Sequence, residues 1–286
     1  MATEEQLDAA YAHAASLVAE QDKDRFLASL FIPEAQRRHI LALQAFNVEL
    51  ARVRDVVSEP LPGEVRMQWW RDVITVTARG DVEAHPVALA LLDTMQRYTL
   101  PPTTLLDMID ARTFDLYDDV MPTLNDLEGY AGETASALFQ LSAIIAADGG
   151  DPGTADASGY AGVAYALTGL LRSVGFHARR NQIYLPKDIL DKNGVSEIEI
   201  RAGKASPQFG QALAELRMHT KHHYDRVMLA WSQIDTKVRP IFLPLALIPP
   251  TLKRLEGAGA KALHQPIEVP QWLRQWHLWR ASKRWM

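Results

Sequence analysis

Apolar residues recur at every third or fourth position through most of this chain, and this spacing determines the class of fold. The clearest stripe comprises Leu43, Phe46, Leu50, Val53 and Val57. Such spacing places the side chains on one face of an α-helix, where they can pack against a core. A sustained alternation of apolar and polar residues, which would predict a half-buried strand, is absent from the sequence.

Comparable periodicity predicts a series of helices over 3–20, 36–58, 64–79, 86–97, 101–119, 124–147, 154–180, 207–235 and 270–285. Joints rich in Pro or Gly separate many of them, as at 60–63 and 149–153. None of the joints has the length of an interdomain linker, and no repeat of solenoid period is visible. We therefore expect a single all-α domain that covers residues 1–286.

Composition and charge exclude several classes of function. The chain has 0 cysteines, which excludes disulfides, thiolate nucleophiles and Cys-based metal centres. A formal net charge of −5 argues against a nucleic-acid partner, because such proteins usually present a basic surface. There is no apolar run of about 18 residues, and the early Glu4 and Glu5 have the wrong charge for a signal or transit peptide. We expect a cytoplasmic protein.

Two clusters of side chains in the C-terminal part of the chain each allow two interpretations. The first cluster consists of His219, His222 and His223. Helical spacing would let these residues reach one metal ion, but their charged neighbours favour a solvated face. The second cluster consists of Trp272, Trp276 and Trp279, interleaved with basic residues. These tryptophans either cap the core or provide a peripheral membrane contact.

Two longer segments carry a resemblance to a known family. Residues 24–72 contain an Asp-led helix start, a leucine-rich turn before Pro33, an Arg pair, an aromatic-containing helix and a Trp pair. Residues 170–190 contain a Tyr-Leu-Pro turn. In this order the segments resemble the squalene/phytoene synthases, which join two allylic diphosphates head to head. The resemblance implies an isoprenoid (terpenoid) synthase-like fold, in which long helices surround a central apolar cavity.

Active members of that family carry two acidic clusters, D-D-x-x-D and D-x-x-E-D, on facing helices. Their carboxylates hold Mg²⁺, which assists the departure of diphosphate. The corresponding positions in this chain are Ala51, Arg52, Asp55, Ser173, Phe176 and His177. Asp55 is the one carboxylate among them. We therefore expect no bound metal, no cofactor and no prenyl transfer by the family mechanism.

The resemblance also implies where a ligand would bind if the degenerate site still takes one. The candidate residues are Arg52, Asp55, Ser173, Phe176, His177, Arg180 and Tyr184. In one arrangement, Arg52, Arg180 and His177 surround the single carboxylate and bind an anionic group without a metal. In the other arrangement, Arg52 pairs with Asp55 or with another acid and closes the pocket. The second is favoured, because buried charged groups usually have partners.

A narrower resemblance lies in residues 45–51, 56–59 and 67–70, and in His177 followed by an Arg pair. These features are similar to the branch of the family that contains a mitochondrial complex I assembly factor. That branch also lacks the acidic clusters. It implies a bacterial, catalytically silent protein that acts by binding, with respiratory complex I subunits as partners.

Two alternatives stay open beside this hypothesis. The first is an active, Mg²⁺-dependent synthase that makes phytoene, squalene or presqualene diphosphate, which rests on likeness of fold alone. The second is a module that binds an isoprenoid-type lipid in a retained cavity. Besides a purely cytoplasmic location, a peripheral location at the inner membrane is also compatible with the sequence.

Overall fold

The computed structural model describes residues 2–57, 59–78 and 82–286, and these residues form sixteen α-helices. The first eight are α1 Glu4–Gln21, α2 Lys23–Ser29, α3 Glu34–Ala51, α4 Val53–Val56, α5 Pro60–Ile74, α6 Pro86–Tyr98, α7 Pro102–Thr113 and α8 Leu124–Ala131. The others are α9 Ala137–Ala146, α10 Ala155–Arg172, α11 Val174–Arg179, α12 Lys187–Lys192, α13 Glu197–Arg201, α14 Pro207–Ala230, α15 Ile248–Ala258 and α16 Gln271–Trp285.

The remaining regular structure is short. Turns of 3₁₀ helix form at Val82–Ala84, Phe114–Leu116, Trp231–Gln233, Arg239–Leu247 and Gly259–Leu263. A π-helical turn, Gly132–Ser136, joins α8 to α9. Within the described ranges, β-pairing is limited to one isolated parallel bridge between Val120 and Ile183. The predicted all-α class is confirmed.

Several predicted helices need correction. The predicted helix over 154–180 is divided at Ser173 into α10 and α11, and the one over 36–58 is divided at Arg52 into α3 and α4. The segment 239–258, which contains several prolines, is helical although the periodicity did not predict a helix there. Ser58 and Arg79, at the ends of two predicted helices, lie outside the described residues.

The local sequence explains where several of the helices begin. Thr3 caps α1 and Thr123 caps α8, each in a capping box with the third residue of its helix. Proline occupies the first turn of α5, α6, α7 and α14, where a missing N–H group leaves no hydrogen bond unmade. Helix starts are therefore well specified by residue type in this chain.

The core is a stack of helix faces built around large apolar side chains. Phe46 of α3 and Phe242 are fully buried, and Trp70 of α5 packs edge-on against Phe46 with ring centroids 5.0 Å apart. Trp70 is 3% exposed, so this member of the Trp pair lies in the core. At Gly162, α10 approaches the π-helical turn so closely that a Cβ atom would lie 2.1 Å from the backbone nitrogen of Ser136.

Two apolar pockets between the helices are small. One, lined in part by Ile40 and Phe139, has a volume of about 20 Å³. A second, lined in part by Leu167 and Tyr184, is also about 20 Å³. Each has room for roughly one water molecule, whereas ligand pockets usually measure about 300–1,000 Å³. These two pockets are therefore too small for a prenyl chain, although the fold class is the predicted one.

None of the helices in the described ranges combines the length and the apolar character needed to cross a bilayer.

Candidate functional site

The two segments that correspond to the acidic clusters meet at helix ends. Helix α3 ends at Ala51, and Asp55 lies in the short α4 that follows. Arg180 follows α11 directly. The Nη1 atom of Arg180 lies 2.5 Å from Oδ1 of Asp55. The single carboxylate left at the cluster positions is therefore paired with a cation from the opposite segment.

Phe176 and His177 flank this ion pair. Phe176 is about half exposed, and the guanidinium of Arg180 lies over its ring at 5.1 Å from the centroid. The ring of His177 is half-buried and packs edge-on against Tyr184, with centroids 4.9 Å apart. Burial lowers the pKa of His177 to about 4. Its imidazole is therefore neutral near pH 7 and adds no charge to the site.

Arg52 lies elsewhere, which corrects the expected pairing with Asp55. Helix α3 has already ended at Ala51, and Arg52 occupies the turn between α3 and α4. The backbone amide of Asp55 donates to the carbonyl of Arg52 at 2.9 Å, and among the described residues the two side chains form no ion pair. The Arg52 side chain instead lines an open pocket of about 320 Å³ together with Arg66 and Trp69. Asp55 thus has a basic partner, but that partner is Arg180 and not Arg52.

Ser173 lines a different open pocket, of about 360 Å³, together with Phe176 and Arg179. Two further arginines of this pocket bind one buried carboxylate, Asp24 of α2. Arg172 donates to one oxygen of Asp24 at 3.1 Å, and Arg274 of α16 donates to the other, also at 3.1 Å. This clamp joins α2, α10 and α16. No local sequence pattern predicts this clamp, because its three residues are far apart in the chain.

A buried polar network lies behind the ion pair. Its centre is Asp115, which accepts hydrogen bonds from Arg112 at 3.0 Å, Tyr130 at 2.9 Å and Tyr184 at 2.8 Å. Arg112 also donates to the amide oxygen of Asn47 on α3 at 3.3 Å. Burial, the largest cause, raises the pKa of Tyr130 and of Tyr184, so both hydroxyls remain protonated donors.

Tyr184 is therefore the one predicted site residue that belongs to this network. Asn47, Arg112, Asp115 and Tyr130 had no predicted role of their own, although an Asp-x-Arg-x-x-Asp run at 110–115 was the available signal. The network occupies the interior with protein groups that satisfy one another. The structure thus groups Asp55, Arg180, Phe176 and His177 together. Ser173 lines a pocket that includes Phe176, whereas Arg52 lines a different pocket.

The side chains present do not fit a magnesium cluster. Mg²⁺ needs oxygen ligands in near-octahedral geometry, and Asp55 alone at the cluster positions supplies a carboxylate, which Arg180 already binds. No group of three or more His, Asp or Glu residues in the described part of the chain is arranged to hold a metal ion. The three histidines on α14, which lie in the described part of the chain, are likewise not arranged as a metal site. The Nε2 atom of His223 instead lies 2.9 Å from Oε1 of Glu128.

Comparison with known proteins identifies the family. Residues 18–280 match the model of the squalene/phytoene synthases. The chain belongs to the squalene/phytoene synthase family. Its fold agrees with solved structures of that family at low sequence identity. A dehydrosqualene synthase superimposes with a TM-score of 0.82 at 18% identity, over 98% of both chains. A squalene synthase from Alicyclobacillus acidocaldarius gives 0.75 at 19%, over 90% of this chain and 97% of that one.

Curated relatives include two kinds of protein. NADH dehydrogenase (ubiquinone) complex I, assembly factor 6, from Homo sapiens is 27% identical over 94% of this chain and 80% of its own length. The corresponding protein from Rattus norvegicus is 28% identical over 88% of this chain and 75% of its own length. A phytoene synthase from Arthrospira platensis is 25% identical over 90% of this chain and 87% of its own length. The chain is therefore similar both to assembly factors and to synthases.

Proposed function

We propose that this protein is a catalytically silent member of the squalene/phytoene synthase family that acts by binding in the assembly of respiratory complex I. The observation that carries the proposal is that Asp55 is the one carboxylate at the six cluster positions, and that it pairs with Arg180 at 2.5 Å. Without further carboxylates, these positions lack the ligands to hold the Mg²⁺ that would assist the departure of diphosphate.

The state of the interior supports the same conclusion independently. A synthase of this type must enclose two long prenyl chains, but two apolar pockets between the helices have volumes of only about 20 Å³ each. The polar network around Asp115 ties α3, α7 and α8 together through side chains. Opening a cavity there would strand buried hydrogen-bonding groups at a cost of about 1–3 kcal/mol for each group.

The link to complex I is supported by the relatives named as complex I assembly factor 6. We infer that the partners are complex I subunits or their assembly intermediates. An isoprenoid-type lipid is the second candidate partner, and lipid extraction followed by mass spectrometry of the purified protein would reveal it. We place the protein in the cytoplasm of a bacterium, attached peripherally to the inner membrane through exposed tryptophans on α16.

The catalytic part of the proposal is tested with allylic diphosphates. Purified protein is incubated with farnesyl or geranylgeranyl diphosphate and Mg²⁺, and the extracted products are analysed by mass spectrometry. We expect no product, while an active phytoene synthase run in parallel converts its substrate. Turnover that is abolished by EDTA and by Asp55→Ala would show that the protein is an enzyme.

The assembly part is tested in the native host. Deletion of the gene should lower the NADH:quinone oxidoreductase activity of membranes and the amount of intact complex I on native gels. Expression of the wild-type protein should restore both. The Asp55→Ala variant should restore them equally well, because the carboxylate has no catalytic role in this proposal. Unchanged complex I in the deletion strain would contradict it.

A further inference from the structure

The C-terminal helix α16 exposes three indole rings. Trp272, Trp276 and Trp279 are 67%, 42% and 55% exposed. They are spaced by four and three residues and therefore share one face of the helix, over roughly 10 Å of its length. The buried residues Leu278 and Ala281 lie on the face that packs against the protein. Trp is normally largely buried, so a row of exposed indoles indicates a surface that contacts something apolar.

A cationic groove lies beside the indole row, between α15 and α16. It has a volume of about 720 Å³, and its floor includes Pro249 and other apolar groups. Four basic side chains line it, namely Lys253, Arg254, Arg280 and Arg284. Among the described residues, no Asp or Glu lines this groove. The groove thus concentrates positive charge on a protein whose formal net charge is −5.

These cations differ from the other arginines of α16 and its neighbours. Arg274, on the same helix, is bound to the buried Asp24. Glu256, the acid of α15, pairs with Arg217 of α14 at 3.8 Å. By contrast, within the described residues none of the four groove cations forms an ion pair, and all four are exposed. Arg280 lies over the ring of Trp276 at 5.1 Å, which connects the groove to the indole row.

We propose that the groove and the indole row together bind anionic phospholipids of a bilayer. The inference rests on the peripheral membrane attachment proposed above, and it specifies the lipid. The indoles enter the interfacial region, where Trp is most favourable, and the four cations bind phosphate groups of the lipid head groups. An acidic protein segment would satisfy the cations but would leave the indoles in water, whereas a bilayer satisfies both. Because the rest of the molecule is acidic, the protein approaches the membrane in this one orientation.

Vesicle flotation tests the proposal. The full-length protein is mixed with vesicles of phosphatidylcholine alone or of phosphatidylcholine and phosphatidylglycerol in equal parts. We expect binding to the mixed vesicles only, and weaker binding as salt is raised. Removal of one cation, as in Arg280→Gln or Arg284→Gln, should weaken binding about fivefold. Arg97→Gln on α6 is the matched control and should bind as wild type does, because Arg97 is also exposed and, among the described residues, forms no ion pair.

The indole row is tested separately with Trp272→Ala and Trp279→Ala, and thermal melting establishes that each variant is folded. Both substitutions should weaken binding to the mixed vesicles, because exposed indoles contribute to the membrane contact rather than to the core. Equal binding to both kinds of vesicle would overturn the anionic-lipid site while leaving membrane attachment intact. Absence of binding to any vesicle would overturn both, and complex I assembly is measured independently of either. Binding of soluble glycerophosphate without binding of vesicles would also overturn the proposal.

Discussion

The carboxylate of Asp115 should contribute more to stability than any surface ion pair of this protein. Its side chain is 6% exposed, and it accepts hydrogen bonds from Arg112, Tyr130 and Tyr184. In Asp115→Asn the shape is preserved, but the charge that balances the guanidinium of Arg112 is lost. Removing one partner of a buried pair costs about 3–5 kcal/mol, because the other charge stays buried and uncompensated.

A matched control lies five residues earlier in the chain. Asp110 also binds an arginine, Arg71, with its oxygen 2.5 Å from Nη2, but its side chain is 63% exposed. Solvent screens such a pair, and its loss costs about 0–1 kcal/mol. Asp110→Asn therefore makes the same chemical change in the same part of the fold without burial. The difference between the two variants isolates the effect of the buried network.

The assay is urea unfolding followed by circular dichroism, with thermal melting as a second measurement. At about 2–4 °C per kcal/mol, Asp115→Asn should lower the melting temperature by roughly 6 °C or more, and Asp110→Asn by a few degrees at most. The double variant Arg112→Met/Asp115→Asn should lose less than the sum of the two single variants, because each single change strands the other group. If Asp115→Asn melts within a degree of Asp110→Asn, the network does not hold the interior together.

Two further predictions concern α10 and the buried His39. Gly162→Ala should destabilise the protein by about 1–3 kcal/mol or more, because the new methyl group would meet the backbone of Ser136. In the control Gly159→Ala, on the same helix, the methyl group meets nothing within 4 Å, and this variant should be stabilised by ~0.5–1 kcal/mol. Equal melting temperatures of the two variants would contradict this prediction. Burial lowers the pKa of His39 from 6.5 to about 4. Between these pH values the unfolded chain binds a proton at His39 that the folded protein does not bind. The free energy of unfolding therefore falls by up to ~3 kcal/mol as pH falls from 6.5 to 4. In His39→Gln, stability should depend less on pH in this window, and an unchanged slope would refute the assignment.

Helix positions were largely predictable from sequence, because amphipathic periodicity and N-terminal prolines act locally. The predicted helices over 3–20, 86–97 and 270–285 agree with α1, α6 and α16 within a few residues. The break at Ser173 was not predictable in this way. At Gly175, just after the break, a Cβ atom would lie 2.3 Å from the carbonyl oxygen of Leu263. The path of α11 is therefore set by a contact with a distant part of the chain.

The segment 241–250 is helical although no helix was predicted there, because its prolines lie at positions that a helix tolerates. Pro249 and Pro250 lie in the first turn of α15, where their missing N–H groups would have no helical partner. Pro244 lies inside the 3₁₀ segment Arg239–Leu247. The same residue type thus begins one helix and is accommodated in another. Only the tertiary structure distinguishes these cases from a break.

At the candidate site, the loss of carboxylates could be predicted from six sequence positions, but the pairing of Asp55 with Arg180 could not. The pair with Arg180 has side chains that are 32% and 45% exposed, so it is worth about 1 kcal/mol or less. Such a pair alone would not keep Mg²⁺ out of a site with all its ligands. Under the proposed function, the missing carboxylates and the two small apolar pockets are separate reasons to expect no catalysis. We therefore predict that restoring acids at Ala51, Ser173 and His177 would return metal ligands but would not restore prenyl transfer, which product analysis after incubation with farnesyl diphosphate and Mg²⁺ would check.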